Sequence, residues 1–305
     1  MTPNYTIHTG DCTQILKTLP TGSINTCVTS PPYFGLRDYG HEGQIGLEQT
    51  PDAYVAELVA VFSEVRRVLR DDGTLWLNLG DSYNSAASGQ NGTTGTLGGG
   101  VPCGGAGTTS GRRPLVKSVK QKELIGIPWR VAFALQADGW YLRQDIIWHK
   151  PNPMPESVRD RCTKAHEYIF LLSKSPRYYF DSKAMQEPAA KGAAGSSFNK
   201  GKTATHQLGR SSDKERADST TRNRRSVWSV ATRPFKGAHF ATFPPDLIRP
   251  CILAGAPEGG TVLDPFNGAG TTGLVSLQHN RNYVGIELNP EYTAMSIERL
   301  NQVMA

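Results

Sequence analysis

Short runs of apolar residues, each followed by glycine, proline or a polar residue, predict four β-strands near the two ends of the chain. Two runs, Tyr5–His8 and Ile24–Val28, lie in the N-terminal part, and two, Thr261–Asp264 and Tyr283–Glu287, lie in the C-terminal part. Apolar residues at helical spacing separate the two members of each pair. Strand, helix and strand in succession make βαβ units, whose strands run parallel. The pattern therefore predicts an α/β protein.

The C-terminal strands cannot complete a sheet by themselves. The residues after Glu287 suffice for one helix, predicted at Glu291–Val303, and for no further strand. The rest of the sheet must therefore come from earlier in the chain, and the N-terminal strands supply it. Joined in this way, the two parts predict a doubly wound sheet with a ligand cleft at the carboxyl ends of its strands.

Composition narrows the class of protein. A chain of 305 residues with 38% hydrophobic and 20% charged residues can bury a core, which excludes global disorder. No apolar run is long enough to cross a membrane, and no secretory signal precedes the first strand. Five scattered cysteines without a CxxC pair argue against a disulfide framework and a structural zinc site. We expect a cytoplasmic protein without a bound metal or a membrane contact.

Two irregular stretches interrupt the pattern. Asn84–Gly111 contains ten glycines and no charged residue, so it is predicted to be a flexible insertion. Gln186–Trp228 carries nine Lys and Arg against four acidic residues, nearly the whole net charge of +6. It is interpreted either as a solvated loop or as a mobile basic arm for a polyanion. The predicted organisation is one half-domain at 1–83, the glycine-rich insertion at 84–113, central strands and helices at 114–185, the basic insertion at 186–228, and a second half-domain at 229–305.

The loop after Thr261–Asp264 points to a nucleoside ligand. Gly268 and Gly270 permit close backbone approach to a ligand at the N-terminus of the following helix, where free N–H groups favour an anion. Glu287 follows at the end of the next strand, where a carboxylate can accept both hydroxyls of a ribose. Asp11 would reach the same cleft and accept a hydrogen bond from a base amino group. The GxGxxG pattern alone is weak, and its spaced context is what indicates a nucleoside.

The segment Ser30-Pro31-Pro32-Tyr33 follows a buried strand. Two prolines cannot continue the sheet, so they hold the backbone extended and leave carbonyls unpaired. Those carbonyls and the Ser30 oxygen can accept hydrogen bonds from an amino group, and Tyr33 adds a planar face. A stiff turn with a buried tyrosine is the alternative interpretation.

SPPY together with DPFNGAGTT resembles the S-adenosylmethionine-dependent DNA amino-methyltransferases. The order of the two motifs is that of their permuted beta group, in which the catalytic motif precedes the cofactor loop. Arg143–Pro155, His166–Lys174 and the segment from His239 to the helix Asp246–Leu253 are also similar to parts of those enzymes. The resemblance implies a doubly wound, mostly parallel, Rossmann-like methyltransferase sheet with circularly permuted motif order.

The resemblance also implies roles for individual residues. S-adenosylmethionine would be the cofactor, with Glu287 on its ribose, Asp11 on its adenine amino group, and Thr271 and Thr272 at its methionine carboxylate. The implied cofactor-binding set is Asp11, Asp264, Phe266, Gly268, Gly270, Thr271, Thr272 and Glu287. The implied catalytic set, which would hold the target base, is Ser30, Pro31, Pro32 and Tyr33.

The target implied is an exocyclic amino group in double-stranded DNA, reached by flipping the base. Serine at the first position of the motif is commoner in the N4-cytosine members, so N4 of cytosine is expected, with N6 of adenine as the alternative. Pro102-Cys103 does not fit a C5-cytosine enzyme, because it lies in the glycine-rich insertion. Arg222, Arg224 and Arg225 are the candidate DNA contacts.

Three functions of other classes stay open at this point. A nicotinamide-dependent dehydrogenase explains the glycine loop but not SPPY or the motif order. An RNA or protein methyltransferase could use a similar motif, and RNA competing better than duplex DNA would favour that interpretation. A DNA-binding regulator without catalysis would use the basic arm alone. The residues do not decide whether a cognate restriction endonuclease is a partner, whether the protein is a monomer or a homodimer, or which DNA sequence it recognises. The resemblance implies a bacterial or phage source.

Overall fold

The computed structural model describes residues 2–36, 40–41, 43–85, 115–189, 220–233 and 243–304. The strands within these residues are β1 (Tyr5–Thr9), β2 (Ile24–Thr29), β3 (Leu69–Leu79), β4 (Tyr141–His149), β5 (His166–Ser173), β6 (Gln186–Pro188), β7 (Thr221–Asn223), β8 (Val227–Ser229), β9 (Thr261–Asp264) and β10 (Asn282–Glu287). The helices are α1 (Cys12–Thr18), α2 (Pro51–Val68), α3 (Ile127–Ala137), α4 (Pro245–Gly255), α5 (Thr271–Gln278) and α6 (Pro290–Met304).

Eight strands form one sheet in the order β1-β10-β9-β2-β3-β5-β4-β8. β5 runs antiparallel to its neighbours β3 and β4, and the other neighbouring strands pair in parallel. The N-terminal strands β1 and β2 pair with the C-terminal strands β10 and β9, respectively. The prediction that the two ends of the chain complete a single, mostly parallel sheet is therefore confirmed.

Helices cover both faces of the sheet, as a doubly wound fold requires. Along β3, Leu75, Leu77 and Leu79 point into one core with α1, α2 and α3. Trp76, between them, points into a second core with α4, α5 and α6. Side chains alternate between faces along a strand, so one strand supplies both cores. Full burial of each such leucine stabilises the fold by about 1.5–3 kcal/mol.

The predicted elements match the observed ones at both ends of the chain. The helix predicted at Glu291–Val303 is α6, and the strand predicted at Thr261–Asp264 is β9. α2 begins where the Thr50 side chain accepts a hydrogen bond from the Ala53 N–H and where Pro51 occupies the first turn. Its apolar face packs on β3 and positions the loop that follows β2.

The folded body extends into both predicted insertions. Asn84 is buried, and its amide donates to the Val116 and Val119 carbonyls at 3.0 and 2.6 Å. β6, β7 and β8 lie in the stretch predicted to be a flexible basic insertion, and Trp228 of β8 is buried in the second core. The predicted flexible range was too wide, because short strands and one tryptophan anchor its ends. Residues 86–114 and 190–219 lie outside the described residues.

Four described cysteines, Cys12, Cys27, Cys162 and Cys251, are free thiols. Pro102 and Cys103 lie outside the described residues. No described helix has the length and apolar character needed to span a membrane. The described part of the chain also has no cluster of three or more His, Cys, Asp or Glu side chains that could bind a metal ion.

Candidate active site

The carboxyl ends of four neighbouring strands bring the predicted site residues together. Thr9 of β1 lies beside Glu287 of β10, and the Gly10 N–H donates to the Glu287 carbonyl at 2.8 Å, which leaves Asp11 at the same edge. Asp264 ends β9, and Thr29, the last residue of β2, donates to its carboxylate at 2.6 Å. The predicted cofactor and base segments therefore meet at one edge of the sheet.

The glycine loop, Pro265–Gly270, turns sharply between β9 and α5. Gly270 has φ +72°, and a Cβ there would lie 2.9 Å from the Ser296 Cβ of α6, so close helix packing requires glycine. Gly268 has φ +51°, but the nearest heavy atom to its ideal Cβ is the Phe266 carbonyl oxygen at 3.9 Å. One side of Gly268 is thus open to a ligand, whereas Gly270 is packed against protein.

Asp264 braces the loop from inside the protein. Its buried carboxylate accepts hydrogen bonds from Thr29 Oγ1, from Thr272 Oγ1 at 2.7 Å and from the Phe266 N–H at 3.0 Å. Burial raises the pKa of Asp264 to about 6, and these three donors oppose the rise. Asp264 is one of the predicted cofactor-binding residues, and in the structure its carboxylate lies beneath the glycine loop and supports it.

The hydroxyls of Thr271 and Thr272 are also engaged within the protein. Thr272 is fully buried on Asp264, and Thr271 Oγ1 accepts from Arg299 Nη1 at 3.0 Å. A ligand carboxylate at the start of α5 would meet the backbone N–H groups of the first turn, which lack acceptors within a helix, and the Thr271 hydroxyl keeps its proton to donate.

Two partly buried carboxylates flank the loop. Glu287 accepts from the Gly268 N–H at 2.7 Å and from the Asn289 N–H at 3.0 Å, and burial raises its pKa. Asp11 caps α1 through one oxygen, which accepts from the N–H and hydroxyl of Thr13, both at 2.7 Å. Its other oxygen lies 4.0 Å from the ideal Cβ position of Gly43. The Glu287 and Asp11 carboxylates are acceptors near the open side of Gly268, and they fit a nucleoside, which has hydroxyl and amino donors.

The SPPY segment, Ser30–Tyr33, leaves β2 beside this loop. The Pro32 carbonyl accepts from the buried Tyr54 hydroxyl at 2.8 Å, so the prediction that both proline carbonyls are unpaired is wrong for Pro32. A buried phenol needs an acceptor, and the nearby turn supplies one. The Pro31 carbonyl accepts no hydrogen bond from a described residue. Phe34 packs on Tyr54 in the core, with ring centroids 5.5 Å apart.

Tyr33 is held from behind by polar side chains of other strands. Its hydroxyl donates to Glu167 of β5 at 2.7 Å and lies 3.4 Å from both Ser30 Oγ and Asn78 Oδ1. Burial, and then the charge of Glu167, raise the pKa of Tyr33 well above its usual value, so the phenol keeps its proton. A Cβ on Gly80 would lie 2.6 Å from the Tyr33 ring, so only glycine fits beside it.

Sequence reasoning missed Glu167, Asn78, Lys150 and Gly80. Lys150 forms an ion pair with Glu167, and Asn78 Nδ2 donates to Glu167 at 3.2 Å. One signal was available, because Glu167 is a charged residue at the start of an otherwise apolar strand, where a buried acid needs partners. Nothing local to Gly80 or Asn78 points to Tyr33, which is 45 residues from Asn78.

The three predicted DNA-contacting arginines lie near β8, at the edge of the sheet, and not beside the SPPY segment. Arg222 is paired with Glu187 at 2.9 Å, across the β6–β7 pair. The Arg224 guanidinium lies over the Trp228 ring at 4.5 Å from its centroid. Arg225 is exposed. The structure thus separates the three into one paired, one stacked and one solvent-facing cation.

The sequence matches the DNA methylase model of N6 and N4 methyltransferases over residues 24–298. It is 50% identical over 295 residues to the Type II methyltransferase M.XycI of Xanthomonas campestris pv. cyanopsidis, which covers 97% of this chain and 87% of that protein.

Two solved structures share the fold. TTHA0409 from Thermus thermophilus, complexed with S-adenosyl-L-methionine, is 21% identical with a TM-score of 0.61, over 99% of this chain and 96% of that chain. The PvuII DNA methyltransferase, which is cytosine-N4-specific, is 20% identical with a TM-score of 0.65, over 100% of this chain and 92% of that chain. The mostly parallel sheet with helices on both faces is therefore the Rossmann-like methyltransferase fold.

Proposed function

This chain belongs to the DNA methylase family of N6 and N4 amino-methyltransferases, and we propose that its own target is the N4 amino group of cytosine in double-stranded DNA. It is a Type II DNA methyltransferase that uses S-adenosylmethionine. A cytosine target is supported by serine at the first position of the SPPY segment and by the cytosine-N4 specificity of the PvuII enzyme.

One observation carries the proposed chemistry. Ser30 and the Pro31 carbonyl are two neighbouring acceptors at the end of β2, and Thr29 directly before them is bonded to Asp264 beneath the glycine loop. An exocyclic amino group has two protons, so two acceptors can hold it. Its lone pair is conjugated into the base ring, and two fixed acceptors favour a more tetrahedral nitrogen. They also need no reorganisation as positive charge develops there.

The residues of the glycine loop fit the cofactor on chemical grounds. Glu287 would accept from the ribose hydroxyls, Asp11 from the adenine amino group, and the open side of Gly268 would admit the ligand close to the backbone. The N-terminus of α5 would bind the methionine carboxylate. Bound there, S-adenosylmethionine supplies a methyl group on a positively charged sulfur, so the protein's remaining task is alignment. Oriented reactants gain roughly 7–11 kcal/mol over free ones.

The target base must leave the duplex, at a cost of a few kcal/mol. Tyr33 would stack on the flipped base, which contributes about 1–3 kcal/mol in single-strand binders. Gly80 lies against the Tyr33 ring and Glu167 binds its hydroxyl, so the ring is already held when the base arrives. Lys and Arg side chains would contact phosphates and make DNA binding salt-dependent.

Adenine presents the same amino group through N6, and the mechanism above applies to it unchanged. The partner endonuclease, the oligomeric state and the cytoplasmic location stay predictions.

The test is to express the chain in a methylation-deficient bacterial host, digest its DNA to nucleosides and quantify methylated bases by mass spectrometry. N4-methylcytosine is expected, and its amount should fall with a Ser30→Ala variant. N6-methyladenine in place of it would overturn the cytosine assignment and keep the rest. No methylated base, with purified protein also inactive on duplex DNA, would overturn the proposed function.

A further inference from the structure

We propose that Glu167 is a positioning residue that orients the Ser30 hydroxyl, through Tyr33, so that its oxygen faces the target amino group as an acceptor. This inference rests on the proposed function, because it needs an amino group at Ser30. It gives a task to a buried carboxylate that has no place in the cofactor or base contacts described above.

Glu167 lies in β5 and pairs with Trp148 of β4, and the Asn78 side chain reaches it from β3 on the other side. It is 7% exposed. Its carboxylate receives the Tyr33 hydroxyl, the Asn78 amide at 3.2 Å and the Lys150 ammonium. A carboxylate can only accept hydrogen bonds, so every group that meets it must present a proton. The geometry therefore leaves Glu167 one role toward Tyr33, that of acceptor.

Tyr33 passes this direction on to Ser30. A phenol has one proton, and at 2.7 Å from Glu167 that proton is committed to the carboxylate. The phenol oxygen is left to accept, and Ser30 Oγ lies 3.4 Å from it. This distance is long for two hydroxyls, and such contacts tighten when a substrate is bound.

Ser30 is then left with its lone pairs toward the cleft. A serine hydroxyl can donate or accept, and it rotates to suit its surroundings. With its proton directed to Tyr33, only acceptor capacity remains for the base, and the amino group of a base offers protons. If the Ser30 proton faced the base instead, two donors would meet and no hydrogen bond to the amino group would form.

Lys150 gives the Glu167 carboxylate a charged partner. A buried carboxylate is costly unless it is paired and hydrogen-bonded. Lys150 forms an ion pair with Glu167 and lies over the Trp148 ring at 4.4 Å from its centroid, so it is held in place. Three donors thus meet the Glu167 carboxylate: the Tyr33 hydroxyl, the Asn78 amide and the Lys150 ammonium.

The informative variant is Glu167→Gln. The glutamine oxygen would turn toward the Lys150 ammonium, and its NH2 group would then face Tyr33. The phenol would have to accept from this amide, and its own proton would be released toward Ser30. The direction of the chain would be reversed with little change in volume.

The experiment is a double-mutant cycle with Glu167→Gln and Tyr33→Phe in the full chain. Single-turnover methyl transfer is measured on duplex DNA from a methylation-deficient host. Glu167→Gln should slow transfer about ten-fold or more, and in the Tyr33→Phe background it should slow transfer by less than about two-fold. S-adenosylmethionine affinity, measured by calorimetry, should not change. Losses that multiply in the double variant, with an active wild-type protein, would overturn this inference alone.

Glu156→Gln is the matched control. Glu156 is a partly buried acid paired with Arg161 at 2.6 Å, and none of its hydrogen bonds to described residues reaches Tyr33. Its effect should be the same with and without the Tyr33 hydroxyl.

If Glu167→Gln does not fold, as judged by thermal unfolding, the pair Ser30→Ala and Tyr33→Phe tests the same series of hydrogen bonds. Those two losses should overlap, and full multiplication would contradict the inference. An inactive wild-type protein would overturn the proposed function and this inference with it.

Discussion

The two halves of the site are built differently. On the cofactor side, the glycine loop and Glu287 belong to one βαβ unit, and the Gly268–Glu287 hydrogen bond spans 19 residues. On the base side, Tyr33 is held by Glu167, which is 134 residues away and lies on a strand of opposite direction. Apart from Asp11, the cofactor half is thus a local motif, whereas the base half is assembled by the order of strands in the sheet. A difference of this kind predicts which substitutions act on binding and which on transfer.

Tyr33→Ala should have the largest effect on methyl transfer. It should not change cofactor binding, because Tyr33 lies on the base side of the site. Removing the ring takes away the stacking face and the link between Ser30 and Glu167. Methyl transfer should fall roughly 100-fold or more, since misplacement of reacting groups has costs of that size. Calorimetry should find S-adenosylmethionine affinity retained. Simultaneous loss of both properties would contradict the division of the site.

Glu287→Ala is the opposite case, on the cofactor side. Two ribose hydrogen bonds to a charged group would be lost, and with them the support of the Gly268 N–H. Affinity for S-adenosylmethionine should weaken at least about 10- to 100-fold, because even one hydrogen bond to a charged group contributes about 1.5–3 kcal/mol net. Transfer at saturating cofactor should change much less. An unaltered dissociation constant would exclude the ribose assignment.

Gly80→Ala tests whether Tyr33 needs to lie where it does. The new Cβ would meet the ring at 2.6 Å, which real contacts do not allow, so the ring must shift. Transfer should slow by about ten-fold, and adding Gly80→Ala to Tyr33→Ala should slow it no further than Tyr33→Ala alone. Cofactor affinity is the internal control, since Gly80 lies outside the glycine loop.

Asp264→Asn tests the cofactor side through the free energy of unfolding, because the buried Asp264 carboxylate supports the glycine loop. Its pKa is raised to about 6 in the folded protein against 3.8 as its reference, so the folded state binds the proton more tightly. Stability from this group is therefore present below about pH 4 and is lost as the pH rises through about 6. Relative to the variant, the wild-type protein should lose of the order of 3 kcal/mol over that window. Urea unfolding of both proteins at about pH 4.5 and 7.5 measures it, and parallel profiles would contradict the assignment.

The smallest effect is expected at the edge of the sheet. Arg225→Gln should reduce the slope of log affinity for DNA against log salt by about one, if Arg225 contacts one phosphate. Arg222→Gln is the matched control, because its charge is already paired with Glu187, and its slope should change less. Equal changes in the two variants would show that the Arg222–Glu187 pair opens on DNA.

Much of this arrangement could be predicted from local patterns. We predicted the four strands near the chain ends and the helix α6, because side-chain periodicity and glycine or proline punctuation act over a few residues. We also predicted that both ends complete one sheet, because too few residues follow Glu287 for another strand. The limits of the basic insertion were predicted less well. β8 and its Trp228 have little pattern of their own and are ordered by packing on β4 and α4.

The residues alone predict the chemistry available: a glycine loop, acids near two strand ends, and acceptors after β2. The orientation of that chemistry, and the open side of Gly268, follow from the fold. The fold engaged the Thr271 and Thr272 hydroxyls inside the protein, gave the Pro32 carbonyl to Tyr54, and put Glu167 behind Tyr33. A hydrogen bond acts over about 3 Å, whereas its partners here are 8 to 134 residues apart, so the packing of strands and helices is what brings them together.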